Sequence, residues 1–106
     1  MSDFTIPLLV AAMKMPKSGK AYEQLVVRVG SSWRSLGSML GVEPYVLGYI
    51  DDEHRKLADK VAALMQHLRE LHVEAFTVGL VASALDQMSR RDVAEKFVED
   101  MTPPSQ

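Results

Sequence analysis

One segment of the sequence predicts the centre of the core: Gly30-Ser-Ser-Trp33-Arg-Ser-Leu36-Gly-Ser-Met39-Leu40-Gly41. Its large apolar side chains recur three or four positions apart, so they share one side of a short helix. Trp33 is the only tryptophan of the chain, and on that side it would point into the core. We expect Ser31 or Ser32 to cap the start of this helix and Gly41 to end it in a left-handed conformation.

The composition predicts one globular domain. A chain of 106 residues with 47% apolar and 25% charged residues can build a single core, unlike a disordered segment. The net charge of −2 argues against an affinity that comes mainly from neutralising phosphates. Residues 1–50 carry five basic and three acidic side chains, whereas residues 51–106 carry seven basic and eleven acidic ones. This asymmetry allows surfaces of opposite sign, which favours self-association or pairing with a similar domain.

The chain has no cysteine, which excludes disulfides, thiol nucleophiles and cysteine-bound zinc. Small secreted domains usually need such cross-links, so we expect a cytoplasmic protein in a reducing compartment. The apolar run near the N-terminus is interrupted by Pro7, is too short to cross a bilayer and follows no basic cluster. We therefore expect neither a signal peptide nor a membrane-inserted helix.

Apolar residues at helical spacing predict further helices on both sides of the tryptophan segment. Residues 4–14 indicate a short extra helix, with Thr5 as its cap and Pro7 in its first turn. A strand is the alternative for the valine-rich segment 20–29, but its apolar residues do not alternate. Ser89, with an acid three residues later, resembles a capping box before the last helix. The other predicted helices lie at 44–53, 57–71, 74–88 and from the capping box to Met101.

These segments and their short connections predict an all-α bundle. Each helix has one apolar stripe, and the stripes together would form a shared core. The residues that we expect at its centre are Trp33, Leu36, Leu40, Leu64, Leu68, Leu85 and Phe97.

The polar residues form no catalytic or cofactor-binding motif. His67 and Glu70 share a helix face, but a metal centre needs matching ligands on other helices, so we interpret them as solvated surface residues. The sequence contains no G-x-S-x-G motif, no phosphate-binding loop and no HExxH motif. We therefore expect no enzyme activity, no cofactor and no metal.

Two charged clusters lie at unfavourable helix ends. Asp51-Asp-Glu53 would end a helix, where negative charge is disfavoured, and Arg90-Arg91 would begin one, where positive charge is disfavoured. Each cluster is either a solvated surface segment or an electrostatic docking site for a partner. A helical nucleic-acid-binding domain is the alternative function, but four acids on the last helix would repel phosphates.

The pattern Leu25-x-x-x-Val29-Gly30-x-x-Trp33-x-x-Leu36-Gly37-x-x-Leu40-Gly41 resembles the opening of a death domain. The segment Ala75–Leu85, followed by Arg90-Arg-Asp92-Val-Ala94-Glu95, resembles the fifth and sixth helices of that family. Gly37 stands where an alanine is more usual, and Met88-Ser89 replaces a common glycine. The resemblance divides the chain into an N-terminal extension (1–17), the domain itself (18–101) and a C-terminal tail (102–106).

The resemblance implies a six-helix antiparallel Greek-key bundle, the death fold, preceded here by the short N-terminal helix. It implies docking with other death domains through surfaces of complementary charge, in higher-order oligomers of apoptotic or innate-immune signalling. It implies no catalytic activity, and the acids of the last helix argue against nucleic-acid binding. By position, the candidate interface residues are Arg28, Arg34, Glu43, Asp51, Asp52, Glu53, Arg69, Glu70, Arg90, Arg91 and Asp92.

Overall fold

A computed structural model describes residues 4–104, and within that range the regular structure is helical. Parts of the predicted extension and tail, residues 1–3 and 105–106, lie outside the described residues. The α-helices are α1 (Leu8–Ala11), α2 (Lys20–Val29), α3 (Trp33–Met39), α4 (Pro44–Glu53), α5 (Leu57–His72), α6 (Val78–Gln87) and α7 (Arg91–Met101). The predicted fold class is confirmed: α2 to α7 form the six-helix bundle, and α1 is the additional N-terminal helix.

One core holds the bundle together, and every helix contributes to it. α6 packs most extensively on α7, α2 packs on α5 and α7, and α5 also contacts α3 and α4. The seven residues expected at the centre of the core are all buried. Leu57 and Leu71 are 43% and 48% exposed, because they lie at the two ends of α5, beyond the part that faces the core.

The tryptophan helix ends as predicted but begins differently. Gly41 has a φ of +92°, and the N–H of Val42 donates to the Gly37 carbonyl at 2.9 Å, which closes the end of α3. The serine cap is wrong, because a 3₁₀ turn (Gly30–Ser32) leads directly into α3 without a side-chain cap. The hydroxyl of Ser32 is used elsewhere, as a hydrogen-bond acceptor for Arg90.

Gly37 lies where α3 crosses the centre of the core. A Cβ atom at this position would be 2.8 Å from Cδ2 of Leu47 and 2.8 Å from Cδ1 of Leu64. No carbon atom fits at that distance unless a leucine moves. The absence of a side chain at position 37 therefore gives space to two core leucines.

The capping-box prediction at Ser89 is wrong. Ser89 has a φ of +65° and closes α6, since the N–H of Arg90 donates to the Leu85 carbonyl at 2.8 Å. Arg90 then occupies the cap position of α7, and no side chain caps that helix. A serine thus holds the left-handed position that glycine adopts at lower cost.

The N-terminal segment packs against the start of α6. The predicted helix 4–14 is shorter than expected, because Pro7 precedes α1 and the chain extends after it to form a bridge between Lys14 and Thr77. Val10 and Met15 are buried in the core. A Cβ at Gly79 would be 3.0 Å from the Ala11 carbonyl oxygen, so α1 and α6 are in direct contact there.

The helix predicted at 74–88 begins later than its apolar pattern suggested. A 3₁₀ turn (Val73–Ala75) follows α5, and α6 starts only at Val78. Thr77 caps α6, because its Oγ1 accepts the N–H of Leu80 at 3.3 Å.

Candidate protein-interaction surfaces

Arg90 connects the start of α7 to the end of α2. Its Nη1 donates to Oγ of Ser32 at 2.6 Å, its Nη2 donates to the Arg28 carbonyl at 3.1 Å, and its Nε donates to Asp92 at 3.2 Å. The hydrogen bond from Arg90 holds the pKa of Asp92 below its ordinary value. Because Arg90 has three partners inside the molecule, its main role is to stabilise the fold.

The other cations near Arg90 are paired as well. Nη1 of Arg28 lies 3.0 Å from the Asp100 carboxylate, and Nε of Arg91 lies 3.1 Å from the Asp86 carboxylate. We call Arg28, Arg90 and Arg91 the basic corner. Its positive charge is compensated by acids of the same chain.

Asp51 also has its partners within the fold. Nη2 of Arg34, on α3, is 2.7 Å from Asp51 at the end of α4, and Lys60 on α5 binds the other carboxylate oxygen. Hydrogen bonds from Lys60 and then from Arg34 lower the pKa of Asp51. The Arg34 guanidinium lies 5.3 Å from the centre of the Trp33 ring. Asp51 therefore joins three helices.

Arg69 holds the N-terminal segment in place. Its Nη1 and Nη2 donate to the carbonyls of Met15 and Pro16 at 3.2 and 3.3 Å. Its guanidinium also lies 5.3 Å from the centre of the Phe76 ring. The expectation that placed Arg69 on a docking surface did not include these contacts, and the two hydrogen bonds connect residues more than 50 positions apart.

Four of the predicted interface residues, by contrast, are exposed acids that form no ion pair within residues 4–104: Glu43, Asp52, Glu53 and Glu70. We call them the acidic surface of α4 and α5. Glu53 accepts a hydrogen bond from the Tyr49 hydroxyl at 3.3 Å, and Glu70 accepts one from the Gln66 amide at 3.0 Å. These neutral donors leave the negative charge of the surface uncompensated.

Two tyrosines that the sequence analysis missed lie among these acids. Tyr45 and Tyr49 are 77% and 64% exposed on α4, opposite the buried Leu47 and Ile50. Their spacing of four residues, out of register with the buried pair, is the signal that could have identified them. Exposed tyrosines are enriched at protein interfaces, because each combines a large apolar ring with a hydroxyl.

A groove of about 240 Å³ runs between α4 and α5 beside Tyr49. The residues that line it include Val46, Tyr49, Ile50 and Ala63, with Glu53 and Glu70 among the acids. We call it the α4–α5 groove.

The described residues also include exposed cations that form no ion pair, and the sequence analysis missed them: Lys17, Lys20, Arg55 and Lys56. Their position in the sequence could have identified them, since two flank the turn at Gly19 and two lie at the connection between α4 and α5. Charged residues in such short connections stay solvated.

The histidines and α7 indicate no other kind of site. The Nε2 atom of His72 lies 2.7 Å from the Leu40 carbonyl oxygen, which fixes the end of α5 against the end of α3. Within residues 4–104, no three histidines or acids are grouped so that they could hold a metal ion. None of the described helices is both long and apolar enough to span a membrane. α7 exposes Asp92, Glu95, Glu99 and Asp100, not a basic face.

Comparison with known proteins agrees with the helical architecture. The family model of the death domain matches residues 19–101, the range that contains α2 to α7 and excludes α1. No curated protein and no solved structure matches the chain. The match covers most of the sequence, and the resemblance of the tryptophan segment is thereby confirmed. The chain belongs to the death-domain family.

Proposed function

We propose that this chain assembles with other death domains in apoptotic or innate-immune signalling in the cytoplasm, through surfaces of complementary charge. The docking unit is residues 18–101, and residues 1–17 and 102–106 flank it. The observation that supports this function is the acidic surface of α4 and α5, where four carboxylates have no cation within the described fold. No step of this function involves a reaction, a cofactor or a nucleic acid.

The acidic surface fits a partner that presents lysines or arginines. Opposite charges attract over roughly 10 Å at 0.1 M salt, which speeds the encounter and orients the two domains. The tyrosines on α4 then supply apolar area that is buried on contact. Cations at Lys17, Lys20, Arg55 and Lys56 make a second copy of the chain a suitable partner, and such unlike surfaces build open oligomers.

The basic corner is a secondary docking candidate. A partner's acid that binds Arg28 or Arg91 has to compete with Asp100 or Asp86, which already lie within 3.1 Å. Arg34 and Asp51 are paired in the same way, as are Arg90 and Asp92. Docking through these residues requires an exchange of partners, whereas docking through the acidic surface requires none.

Light scattering of the purified chain at rising concentration, in low and moderate salt, tests the proposal. We expect the average mass to grow with concentration and to fall with salt, because screening weakens exposed charge pairs. Asp52→Lys with Glu53→Lys should remove this growth. Glu23→Lys with Glu95→Lys, exposed acids elsewhere, changes the net charge equally and should retain it.

Three results of these measurements bear on the proposal. If the growth is lost equally in the control, net charge and not the acidic surface drives the association. If both charge variants associate like the wild type, the acidic surface is not the docking site. A wild type that stays monomeric, yet binds another death domain through Asp52 and Glu53, supports the docking function with a different chain as partner.

A further inference from the structure

α1 presents an apolar face that nothing in the described chain covers. Leu8 and Leu9 are 87% and 86% exposed, and Ala12 and Met13 on the same side are exposed as well. The opposite side of this turn is the one that packs, with Val10 in the core and Ala11 against Gly79. We call Leu8, Leu9, Ala12 and Met13 the apolar turn. An apolar cluster of this kind on a folded surface indicates a contact site.

The chain around the apolar turn is basic. Between residues 4 and 22 the charged side chains are Lys14, Lys17 and Lys20, and no acid is present. Lys14 pairs with Glu74 at 2.5 Å, but both side chains are mostly exposed, and Lys17 and Lys20 form no ion pair among the described residues. A surface that accepts this segment should therefore combine an apolar floor with acids.

The α4–α5 groove has this combination. Val46, Ile50 and Ala63 provide apolar lining, and Glu53 and Glu70 provide uncompensated negative charge. A second groove, between α2 and α5, measures about 340 Å³ and is lined by Tyr22, Val26, Ala58 and Ala62. Glu23 and Asp59 line this second groove as well, but Lys20 and Lys56 precede them by three positions and so lie beside them on the helix surface. These lysines offset its negative charge, so it fits the basic segment less well.

We propose that the apolar turn of one copy docks into the α4–α5 groove of a second copy, with the lysines that follow it beside Glu53 and Glu70. This inference rests on the proposed function, which makes another death domain the partner. It adds α1 to the docking surfaces, and α1 lies outside the family match at 19–101. The apolar turn and the α4–α5 groove are different surfaces of the same chain. Each copy can therefore bind one neighbour through its turn and another through its groove, so the contact propagates from copy to copy.

Two variants separate the two halves of this contact. The turn variant, Leu8→Ser with Leu9→Ser, removes the apolar side chains, and the groove variant, Ala63→Arg, fills the groove. We expect each variant by itself to show at least a tenfold higher dissociation constant in sedimentation velocity, as for the central residues of an interface. An equimolar mixture should form a 1:1 complex that does not grow, since it contains one intact turn and one intact groove for each pair.

Matched controls keep the result interpretable. The leucines are exposed, so urea denaturation should give the turn variant the stability of the wild type. Tyr49→Ala replaces the groove variant if Ala63→Arg unfolds, because Tyr49 is exposed and its ring borders the groove. A filler in the α2–α5 groove, Ala58→Arg, should leave the association unchanged.

Four results would overturn the inference. If the turn variant associates like the wild type while Asp52→Lys with Glu53→Lys dissociates, the charge-driven docking stands and the role of α1 falls. A mixture that fails to form the 1:1 complex shows that the two surfaces do not meet. Loss of association in Ala58→Arg alone assigns the turn to the other groove. A monomeric wild type that binds vesicles with anionic lipids through Leu8 and Leu9 assigns the turn to a membrane.

Discussion

The basic corner and the acidic surface of α4 and α5 were equally good docking candidates in the sequence, yet the fold treats them differently. Every cation of the basic corner has an acid of the same chain within 3.2 Å. The four acids of the acidic surface have no cation among the described residues. A charge near a helix end thus indicates a docking site only when the rest of the fold does not supply its counter-ion.

The largest effect should come from Arg90. Arg90→Ala leaves the Ser32 hydroxyl and the Arg28 carbonyl without their donor, so we expect the free energy of unfolding to fall by about 2–3 kcal/mol. Urea denaturation measures this loss. Arg55→Ala, an exposed cation without an ion pair, is the matched control and should change stability by less than about 0.5 kcal/mol. A loss below that limit for Arg90→Ala would show that the corner is not structural.

A smaller loss is expected at Arg69, the residue next to the acidic Glu70. Arg69→Ala removes two hydrogen bonds to the N-terminal segment and the contact with Phe76, at a cost of about 1–2 kcal/mol. Glu70→Gln should leave stability unchanged. Hydrogen exchange should locate the loss at the bridge between Lys14 and Thr77. If the amides at this bridge are protected equally in Arg69→Ala and in the wild type, Arg69 does not hold the N-terminal segment in place.

Acidification should weaken the ion pairs of Asp51 and Asp92 and thereby lower the stability of the fold. Asp51 and Asp92 have lowered pKa values in the fold, so their pairs contribute stability that is complete above the ordinary carboxyl pKa of about 4. This contribution is lost as the pH falls through the lowered values. Thermal melts between neutral pH and about pH 2 should therefore show a weaker acid dependence in Asp51→Asn than in the wild type. An Asp51→Asn variant with the full acid dependence of the wild type would contradict this contribution.

The smallest effect should be a gain at Ser89. Glycine adopts the positive φ of this position without the strain that a Cβ causes, so Ser89→Gly should stabilise the chain by about 0.4–1 kcal/mol. The melting temperature should rise while self-association stays the same, since Ser89 lies outside the acidic surface of α4 and α5. A lower melting temperature would show that the serine side chain contributes a contact that outweighs the strain.

The sequence predicted what depends on local periodicity. The spacing of Trp33, Leu36 and Leu40 gave the buried side of α3, and Gly41 gave its end, because both depend on residues within two turns of each other. Segment 20–29 was predicted with the bounds that α2 has. The family resemblance added the arrangement of the six helices in an antiparallel Greek-key bundle.

The sequence could not predict what depends on distant partners. Ser89 closes α6 and does not cap α7, because the carbonyls at the end of α6 use the backbone N–H groups that follow it. Arg69 was assigned to a surface because its partners, the carbonyls of Met15 and Pro16, lie more than 50 residues away. The sequence could not show that Asp52 and Glu53 lack an ion pair for the same reason. Only the fold shows that the nearby cations Arg34 and Lys60 both bind Asp51.

The dissociation constant of self-association, measured by sedimentation equilibrium well below the melting temperature, tests most directly whether the acidic surface docks and the basic corner holds the fold. We expect Asp52→Lys with Glu53→Lys to raise this constant at least tenfold at unchanged stability. Arg90→Ala should lower the stability and leave the constant within about twofold of the wild type. The opposite pattern, with association lost in Arg90→Ala at full stability and retained in the acidic-surface variant, would contradict this account.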